Sequence, residues 1–299
     1  MAAGSPGKNA SPLGPGSPTV PAVAMVLGGI CSIQIGAALA TDLFAEIGAA
    51  GAVFLRVLVS AVLLVIIWRP NFRMDRSKVE LALLFGVVLA GMNLCFYESI
   101  DRIPLGTAVT FEFVGPLGVA LITSRRRKDL IWVGVAAAGI VLLSGGVGHE
   151  GLDPLGIALA LAAGFFWGSY ILLGKRVGEE WSGGKGLAIA MVPAALICAP
   201  FGLVDGGSNL VDPSVLLVGA AVAVLSTALP LSLEIEAMRR LPSNVFGVMM
   251  SLEPAVAAAV GFVLLSQGLA AAQVLAIAMV VVASAGILWA SRGPAPLEP

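Results

Sequence analysis

Apolar residues along this chain fall in ten long runs that are almost free of charge, and short polar segments separate them. Each run has roughly the 20 residues that a helix needs to cross the hydrocarbon core of a bilayer. The pattern therefore predicts ten transmembrane helices. The runs are 21–40, 49–68, 79–98, 103–123, 130–147, 155–173, 187–204, 214–233, 242–265 and 271–290.

The composition supports an all-α membrane protein that is embedded in a lipid bilayer. Hydrophobic residues make up 58% of the chain and charged residues only 12%, whereas soluble domains carry about 25% charged residues. The formal net charge of −1 gives no field that would attract nucleic acid. The connections between runs are too short to house a soluble nucleotide-binding domain, which argues against an ATP-driven pump.

Two tails flank the apolar region. Residues 1–20 are rich in Gly, Pro, Ser and Ala and are predicted to be a disordered N-terminal tail. Residues 292–299, with three prolines, form a short C-terminal tail. Between them the chain divides into a first five-helix unit, 21–147, and a second, 155–291.

The basic residues alternate in number from one connection to the next. With ten spans, fifteen of the 17 Lys and Arg residues lie on the side that holds both tails. The opposite side has only Arg102, and Arg56 lies inside a span. Because cytoplasmic loops carry the excess of Lys and Arg, this bias places both termini in the cytoplasm.

The two five-helix units share a register of polar residues and prolines. Four residues around the third and fourth spans recur 138 positions later around the eighth and ninth. The pairs are Glu98 and Glu236, Arg102 and Arg240, Pro104 and Pro242, and Pro116 and Pro254. Because each unit has an odd number of spans, the copies would insert in opposite directions. Inverted repeats of this kind are typical of secondary transporters, whose site lies near the midplane.

Three ionisable residues interrupt the apolar spans. Glu112 lies about 14 Å into the fourth span and Glu253 about 17 Å into the ninth, near the middle of the bilayer. Arg56 lies about 10 Å into the second span from its outer end. A charge at this depth is costly and usually marks a substrate or proton path. The alternative is that Arg56 pairs with a glutamate as a structural link or extends outward to the interface.

Further polar residues and helix breakers lie in the same spans. The side chains of Gln34, Asn93, Trp167, Tyr170, Ser226 and Thr227 could bind a substrate, although each alone is more often an interhelical contact. Gly115, Pro116 and Pro254 adjoin the two glutamates and could act as hinges, although packing kinks are at least as frequent.

Enzyme and metal signatures are absent from the sequence. It contains no phosphate-binding loop, no HExxH motif and no Gly-x-Ser-x-Gly motif, so no catalytic residue is assigned. Its one histidine, His149, lies in a loop without partners, and its three cysteines lie in apolar runs. No cofactor and no metal site is predicted. A membrane-embedded enzyme that uses the two glutamates for acid–base chemistry remains the less favoured alternative.

Several motifs carry a resemblance to a known family. They are SIQIGAA from Ser32, MNLCFYESIDRIPLGTAV from Met92, FEFVGPLGVALITSRR from Phe111, VLSTALPLSLE from Val224 and RLPSNVFGVMMSLEPAVAA from Arg240. Over residues 21–290 the chain resembles EamA-type members of the drug/metabolite transporter superfamily, in particular bacterial threonine/homoserine exporters. Many relatives end the ninth span with Gly-Glu, whereas this chain has Ser266-Gln267, and a neutral Gln267 cannot titrate.

The resemblance implies a ten-helix fold of two inverted repeats that exports small metabolites across the bacterial inner membrane. The resulting hypothesis is proton-coupled antiport of a small neutral amino acid by alternating access. Glu112 would bind the ammonium group of the amino acid and Arg56 its carboxylate. Burial favours the protonated form of a carboxyl group and a nearby arginine the ionised form, so a glutamate could exchange a proton for substrate. Another metabolite, a drug or a lipid is the alternative cargo, and a homodimer remains open.

Overall fold

The fold consists of α-helices throughout the residues that the computed structural model describes, namely 19–123, 129–144, 152–230, 233, 237 and 249–290. The helices are α1 Thr19–Thr41, α2 Phe44–Trp68, α3 Arg76–Ile100, α4 Leu105–Glu112, α5 Val114–Thr123, α6 Asp129–Ser144, α7 Pro154–Glu180, α8 Lys185–Gly206, α9 Pro213–Ala223, α10 Glu253–Leu264 and α11 Ala271–Ala290. A 3-10 turn, Gly207–Val211, precedes α9, and a π-helical segment, Val224–Ala228, continues it. Within these ranges the chain forms no β-strand.

Each predicted run contains a helix wherever the structure describes it. Five helical stretches are long and apolar enough to cross a membrane, and shorter apolar helices occupy the described parts of the fourth, eighth, ninth and tenth runs. α1 begins at Thr19, so it takes in the last two residues of the predicted N-terminal tail. The rest of both predicted tails lies outside the described residues. So do Glu236, Arg240 and Pro242 and the first part of the ninth run.

α2 begins at Phe44, ahead of the predicted start at residue 49. The sequence does not reveal this start, because Glu46 is charged and therefore falls outside the apolar run, and because the helix is kinked at Gly48. Gly48 has φ 67°, a left-handed conformation that a residue with a side chain rarely adopts. The continuous part of α2 begins after this kink, at the predicted start, and Arg56 lies about 10 Å beyond it.

Small residues allow the helices to pack closely. The most extensive contacts join α2 to α8, α3 to α7 and α6 to α11. Gly202 of α8 lies directly against the Phe54 side chain and the Ala50 carbonyl oxygen of α2, where a Cβ atom would not fit. Such small-residue contacts let backbones approach where lipid provides no hydrophobic drive between helices.

Large apolar side chains cover the outer surface of the bundle. Val204 is 83% exposed, Ile122 81% and Leu217 74%. In water this surface would far exceed the few hundred Å² of contiguous apolar area usual for a soluble monomer. In hydrocarbon, exposed apolar side chains carry no free-energy cost of hydration. The helices are therefore those of a multi-pass membrane protein.

Prolines interrupt the chain beside both glutamates. α4 ends at Glu112 because Pro116 has no N–H to donate to the Glu112 carbonyl oxygen. Pro254 leaves the Met250 carbonyl oxygen without its helical donor in the same way, and a turn at residues 251–252 precedes α10. The interruptions at residues 113 and 251 differ by 138 positions, the same spacing as the repeated residues of the sequence.

Gly115 lies at a close crossing of α5 and α7. A Cβ atom on Gly115 would meet the backbone carbonyl of Gly164, and one on Gly164 would lie 2.5 Å from the Glu112 carbonyl oxygen. The predicted hinge residue Gly115 thus belongs to a tightly packed contact, and Pro116 follows it directly. Movement there, and at Pro254, stays a prediction.

Gln267 caps the N-terminus of α4 from the other half of the chain. Its Oε1 atom accepts a hydrogen bond of 3.0 Å from the backbone N–H of Leu105. The first N–H groups of a helix have no partner within the helix, and an acceptor there stabilises it. Gln267 therefore has a structural contact in this chain.

We expect Gln267→Ala to lower the free energy of unfolding by about 1 kcal/mol, because the cap is lost. Gln267→Glu should retain the cap and add about 0.3–1 kcal/mol, because a carboxylate interacts favourably with a helix N-terminus. Thermal unfolding of the purified variants in detergent measures both changes. An alanine variant that melts at the wild-type temperature would contradict the capping role.

Candidate functional site

A cavity of about 240 Å³ lies among the helices of both halves. Its wall includes all nine polar and aromatic residues that the sequence singled out as substrate-binding or proton-binding candidates. They are Gln34, Arg56, Asn93, Glu112, Trp167, Tyr170, Ser226, Thr227 and Glu253. These residues come from α1, α2, α3, α4, α7, the π segment and α10. The structure brings them together, while their part in binding stays a prediction.

One side of the cavity is acidic. Glu112 is the last residue of α4, and Glu253, which is 6% exposed, is the first residue of α10. The Nε2 atom of Gln34 donates a hydrogen bond of 3.3 Å to Glu253 Oε1. Glu112 interacts electrostatically with both Glu253 and Arg56. The two glutamates, from different halves of the chain, are therefore close enough to influence each other's charge.

Orientation of the Gln34 amide follows from this hydrogen bond. Because Nε2 donates to Glu253, Oε1 is left to accept, and no described residue donates to it. Gln34 is only 2% exposed. A buried acceptor without a donor costs about 1–3 kcal/mol, so a molecule with N–H or O–H groups would gain by binding here.

A second group of lining residues presents hydrogen-bond donors. The Nη1 atom of Arg56 donates to Asn93 Oδ1 at 2.6 Å, and the guanidinium lies 5.4 Å from the centre of the Tyr97 ring. Asn93 in turn donates from Nδ2 to the Leu89 carbonyl oxygen at 2.7 Å. Neither Arg56 Nε nor the Tyr97 hydroxyl has a hydrogen-bond partner in the described part of the chain. Both donors are buried, so each lacks the compensation that a hydrogen bond provides.

Two hydroxyl-bearing residues of the π-helical segment, Ser226 and Thr227, line the cavity. Thr227 Oγ1 accepts a hydrogen bond of 3.1 Å from Ser60 on α2, whereas Ser226 Oγ has no partner among the described residues. Pro230 has no N–H to donate to the Ser226 carbonyl oxygen, and the Leu229 N–H bonds instead to the Val224 carbonyl oxygen. Short π segments are frequent at functional sites.

Aromatic residues form part of the remaining wall. Trp167 meets the Phe113 ring edge-to-face, with centroids 5.4 Å apart. Tyr170 stacks on Phe85 with centroids 5.2 Å apart. Both rings are held by packing, which gives the cavity a rigid apolar surface beside its charged groups.

Tyr97 is the cavity residue of clearest chemical interest that the sequence reasoning missed. It is 1% exposed and lies under the Arg56 guanidinium. The signal was present, because Tyr97 follows Asn93 by four residues and so lies on the same face of α3. Three methionines, Met92, Met191 and Met250, also line the cavity and were not identified.

Comparison with known proteins identifies the family. Residues 154–289 match the EamA-like transporter family. The threonine/homoserine exporter RhtA of Salmonella typhimurium strain LT2 is 44% identical over 266 residues, which cover 88% of this chain and 90% of that protein. RhtA of Escherichia coli K12 has the same identity and coverage. A crystal structure with 18% identity has the same fold, with a TM-score of 0.62 over 91% of this chain and 99% of that one. The chain therefore belongs to the EamA-like transporter family.

Proposed function

We propose that this protein is a secondary active exporter of small neutral amino acids of the threonine or homoserine kind. It would work as a proton antiporter by alternating access in the bacterial inner membrane. The observation that carries the proposal is the cavity, which has an acidic side and a basic side within apolar helices. The relatives named above, which are threonine/homoserine exporters, supply the class of substrate.

The two sides of the cavity match the two charged groups of an amino acid. An ammonium group has three N–H donors, and three acceptors face it in Glu112, Glu253 and Gln34 Oε1. A carboxylate accepts several hydrogen bonds, and Arg56 with the Tyr97 hydroxyl offers the donors that lack partners. A molecule with a single charge would satisfy only one of these sides.

Cavity size favours a small metabolite over the alternative cargoes. Pockets for drug-sized molecules measure about 300–1,000 Å³, and this one measures about 240 Å³. A lipid would also need an opening toward the apolar exterior of the bundle. The charged groups of the cavity would lose hydrogen bonds to water when a lipid binds, and its apolar chains would form none in their place.

The charge of the cavity supports proton coupling. Among the described residues that line the cavity, two are acidic and one is basic. A bound zwitterion adds no net charge, so one negative charge remains in a region of low dielectric unless a carboxyl group is protonated. If Glu112 binds either the ammonium group or a proton, the two compete for it, and the empty transporter returns with the proton. Each proton that enters gains about 2.3 kcal/mol per 100 mV, enough for a gradient of about fiftyfold.

An inverted repeat is supported by the pattern of helix contacts. α2 packs on α8 and α6 on α11, which are counterparts in the two halves. Further contacts come in matched pairs: α3 on α7 with α9 on α1, α3 on α8 with α9 on α2, and α5 on α7 with α10 on α1. A two-fold relation between units 21–147 and 155–291 would produce this pattern. The excess of Lys and Arg on one side supports cytoplasmic termini.

Transport can be tested with the purified protein in liposomes that contain labelled threonine. An imposed pH gradient should drive threonine out through the protein, and its collapse by a protonophore should stop net movement. Mass spectrometry of both compartments separates this proposal from a membrane-embedded enzyme, because a transporter leaves threonine chemically unchanged. Threonine that stays inside under all gradients would overturn the proposed substrate.

Arg56→Lys should lower kcat/KM for threonine by about tenfold or more. Lysine keeps the positive charge but loses the planar guanidinium that can bond to Asn93 and a carboxylate at the same time. The matched control is Arg76→Lys, because Arg76 is exposed and pairs with Glu80 one turn away. Equal kcat/KM for Arg56→Lys and wild type would remove Arg56 from the binding site.

A further inference from the structure

Arg56 is a cation inside the apolar bundle, and no described carboxylate lies within ion-pair distance of it. The ion pairs of the described residues involve only the cations Arg76, Lys78 and Arg102. Glu112 interacts with Arg56 electrostatically, but from beyond the 4.0 Å of an ion pair. Buried charges in proteins are usually paired. In the described part of the chain, the charge of Arg56 is therefore not cancelled by a group in contact with it.

Two neutral groups of α3 hold the Arg56 guanidinium instead. Asn93 Oδ1 accepts a hydrogen bond from Nη1 at 2.6 Å, and the centre of the Tyr97 ring lies 5.4 Å from the guanidinium carbon. Because Asn93 and Tyr97 are four residues apart, both lie on the same face of α3. An amide oxygen and an aromatic face attract a cation without removing its net charge.

The Asn93 side chain is itself held in one orientation. Its Nδ2 atom donates to the Leu89 carbonyl oxygen, one turn earlier on α3, at 2.7 Å. The residue is 6% exposed. Each polar atom of the amide therefore already has a protein partner, and a rotation of the side chain would break both bonds. This geometry fixes the Arg56 guanidinium through Asn93 Oδ1.

We propose that Asn93 is a positioning residue, which holds the Arg56 guanidinium in place for the carboxylate of the transported amino acid and does not contact that molecule itself. This inference rests on the proposed function and deepens it, because it names a residue that makes the site selective for a carboxylate through Arg56. A guanidinium binds a carboxylate best through two parallel hydrogen bonds, which need a fixed orientation. A misplacement of about 1 Å can cost about a hundredfold in rate.

Asn93→Ser separates the two hydrogen bonds of Asn93. A serine hydroxyl within a helix can donate to the carbonyl oxygen four residues earlier, as Ser169 does to Phe165 at 2.9 Å in this protein. The bond to Leu89 is therefore kept, whereas the hydroxyl ends one bond short of the amide oxygen and does not reach Arg56. Asn93→Thr can form the same bond and fills more of the space, so it covers the case in which the serine variant is not produced.

Threonine and threonine amide form the pair of ligands that tests the inference, because they differ only at the carboxylate. Binding of labelled threonine to the purified protein in detergent, and its displacement by the unlabelled amide, give the Kd of each without any gradient. Wild type should bind threonine at least about tenfold more tightly than the amide. Asn93→Ser should weaken threonine binding about tenfold and should leave the Kd of the amide within about twofold of wild type.

The matched control is Ser99→Ala on the same helix. The buried Ser99 hydroxyl donates to the Gly156 carbonyl oxygen of α7 at 2.8 Å, and the residue does not line the cavity. This variant also loses a buried hydrogen bond between helices, yet it should keep the wild-type ratio of the two Kd values. In an Arg56→Lys background, Asn93→Ser should weaken threonine binding by less than about twofold more, because both changes disrupt the same contact.

The outcomes separate this inference from the proposed function. If Asn93→Ser leaves threonine binding unchanged, weakens both ligands by the same factor, or multiplies the effect of Arg56→Lys, the positioning role is wrong while amino-acid binding stands. If wild type binds both ligands equally, Arg56 does not bind the carboxylate and the positioning role fails with it. If wild type binds neither, the proposed function itself fails. A ratio that falls in the Asn93 variants but not in Ser99→Ala supports the inference.

Discussion

Replacing Glu112 with glutamine should abolish the ability of this transporter to build a threonine gradient. Glutamine has the same shape as glutamate but cannot bind or release a proton in this range. Under a proton-motive force of about 100 mV, wild type should reach an accumulation ratio of about fiftyfold for each coupled proton. The Glu112→Gln variant should reach a ratio of about one, because threonine can still equilibrate but no proton drives its accumulation.

The measurement is steady-state accumulation of labelled threonine in liposomes of defined orientation. Glu80→Gln is the control, because Glu80 is an exposed glutamate that pairs with Arg76 on the surface of α3. This control should reach the wild-type ratio. A Glu112→Gln variant that still accumulates threonine under the pH gradient would show that the coupled proton binds elsewhere.

Gly115→Ala should have the largest effect on stability. The new methyl group would overlap the backbone carbonyl of Gly164, and backbone atoms cannot rotate aside as a side chain can. Overpacking a close contact usually costs about 1–3 kcal/mol and occasionally more, and we expect more than about 3 kcal/mol here. The crossing of α5 and α7 would open, and Glu112 next to it would shift.

Gly118→Ala is the matched control on the same helix. A Cβ atom on Gly118 meets nothing within 4 Å, so this change should be neutral or should stabilise the helix by about 0.5–1 kcal/mol. Thermal unfolding in detergent and the yield of monodisperse protein give both results. If Gly115→Ala unfolds at the wild-type temperature, the close crossing does not exist as described.

Much of the architecture was predictable because hydropathy determines where a chain can cross a bilayer. The apolar runs coincide with the helices because each backbone group must be bonded within its own helix in lipid. It was also predictable that the polar residues within the apolar spans would lie together around one cavity. A polar side chain such as Glu112 or Asn93 cannot face lipid without a large cost, so those on different helices converge on the same interior space.

Features that depend on packing between helices were not predictable. The position of Tyr97 under Arg56 depends on how α2 and α3 are rotated against each other. The π segment depends on Pro230. A proline can either kink a helix or shift the preceding hydrogen bonds from the α to the π pattern, and the sequence does not distinguish the two. The Gln267 cap joins residues 162 positions apart, and no local pattern encodes such a contact.

The central claim is that polar residues within apolar helices enclose a water-accessible cavity that binds the amino acid. Cysteine labelling tests it most directly, in a background where Cys31, Cys95 and Cys198 are replaced by alanine. Met92→Cys lies in the cavity wall, whereas Leu196→Cys lies on the outer surface of α8, where Leu196 is 69% exposed. A small, water-soluble, thiol-specific reagent should modify position 92, threonine should slow that reaction, and position 196 should stay unmodified in lipid. Modification of position 196 alone, or a rate at position 92 that threonine leaves unchanged, would contradict the claim.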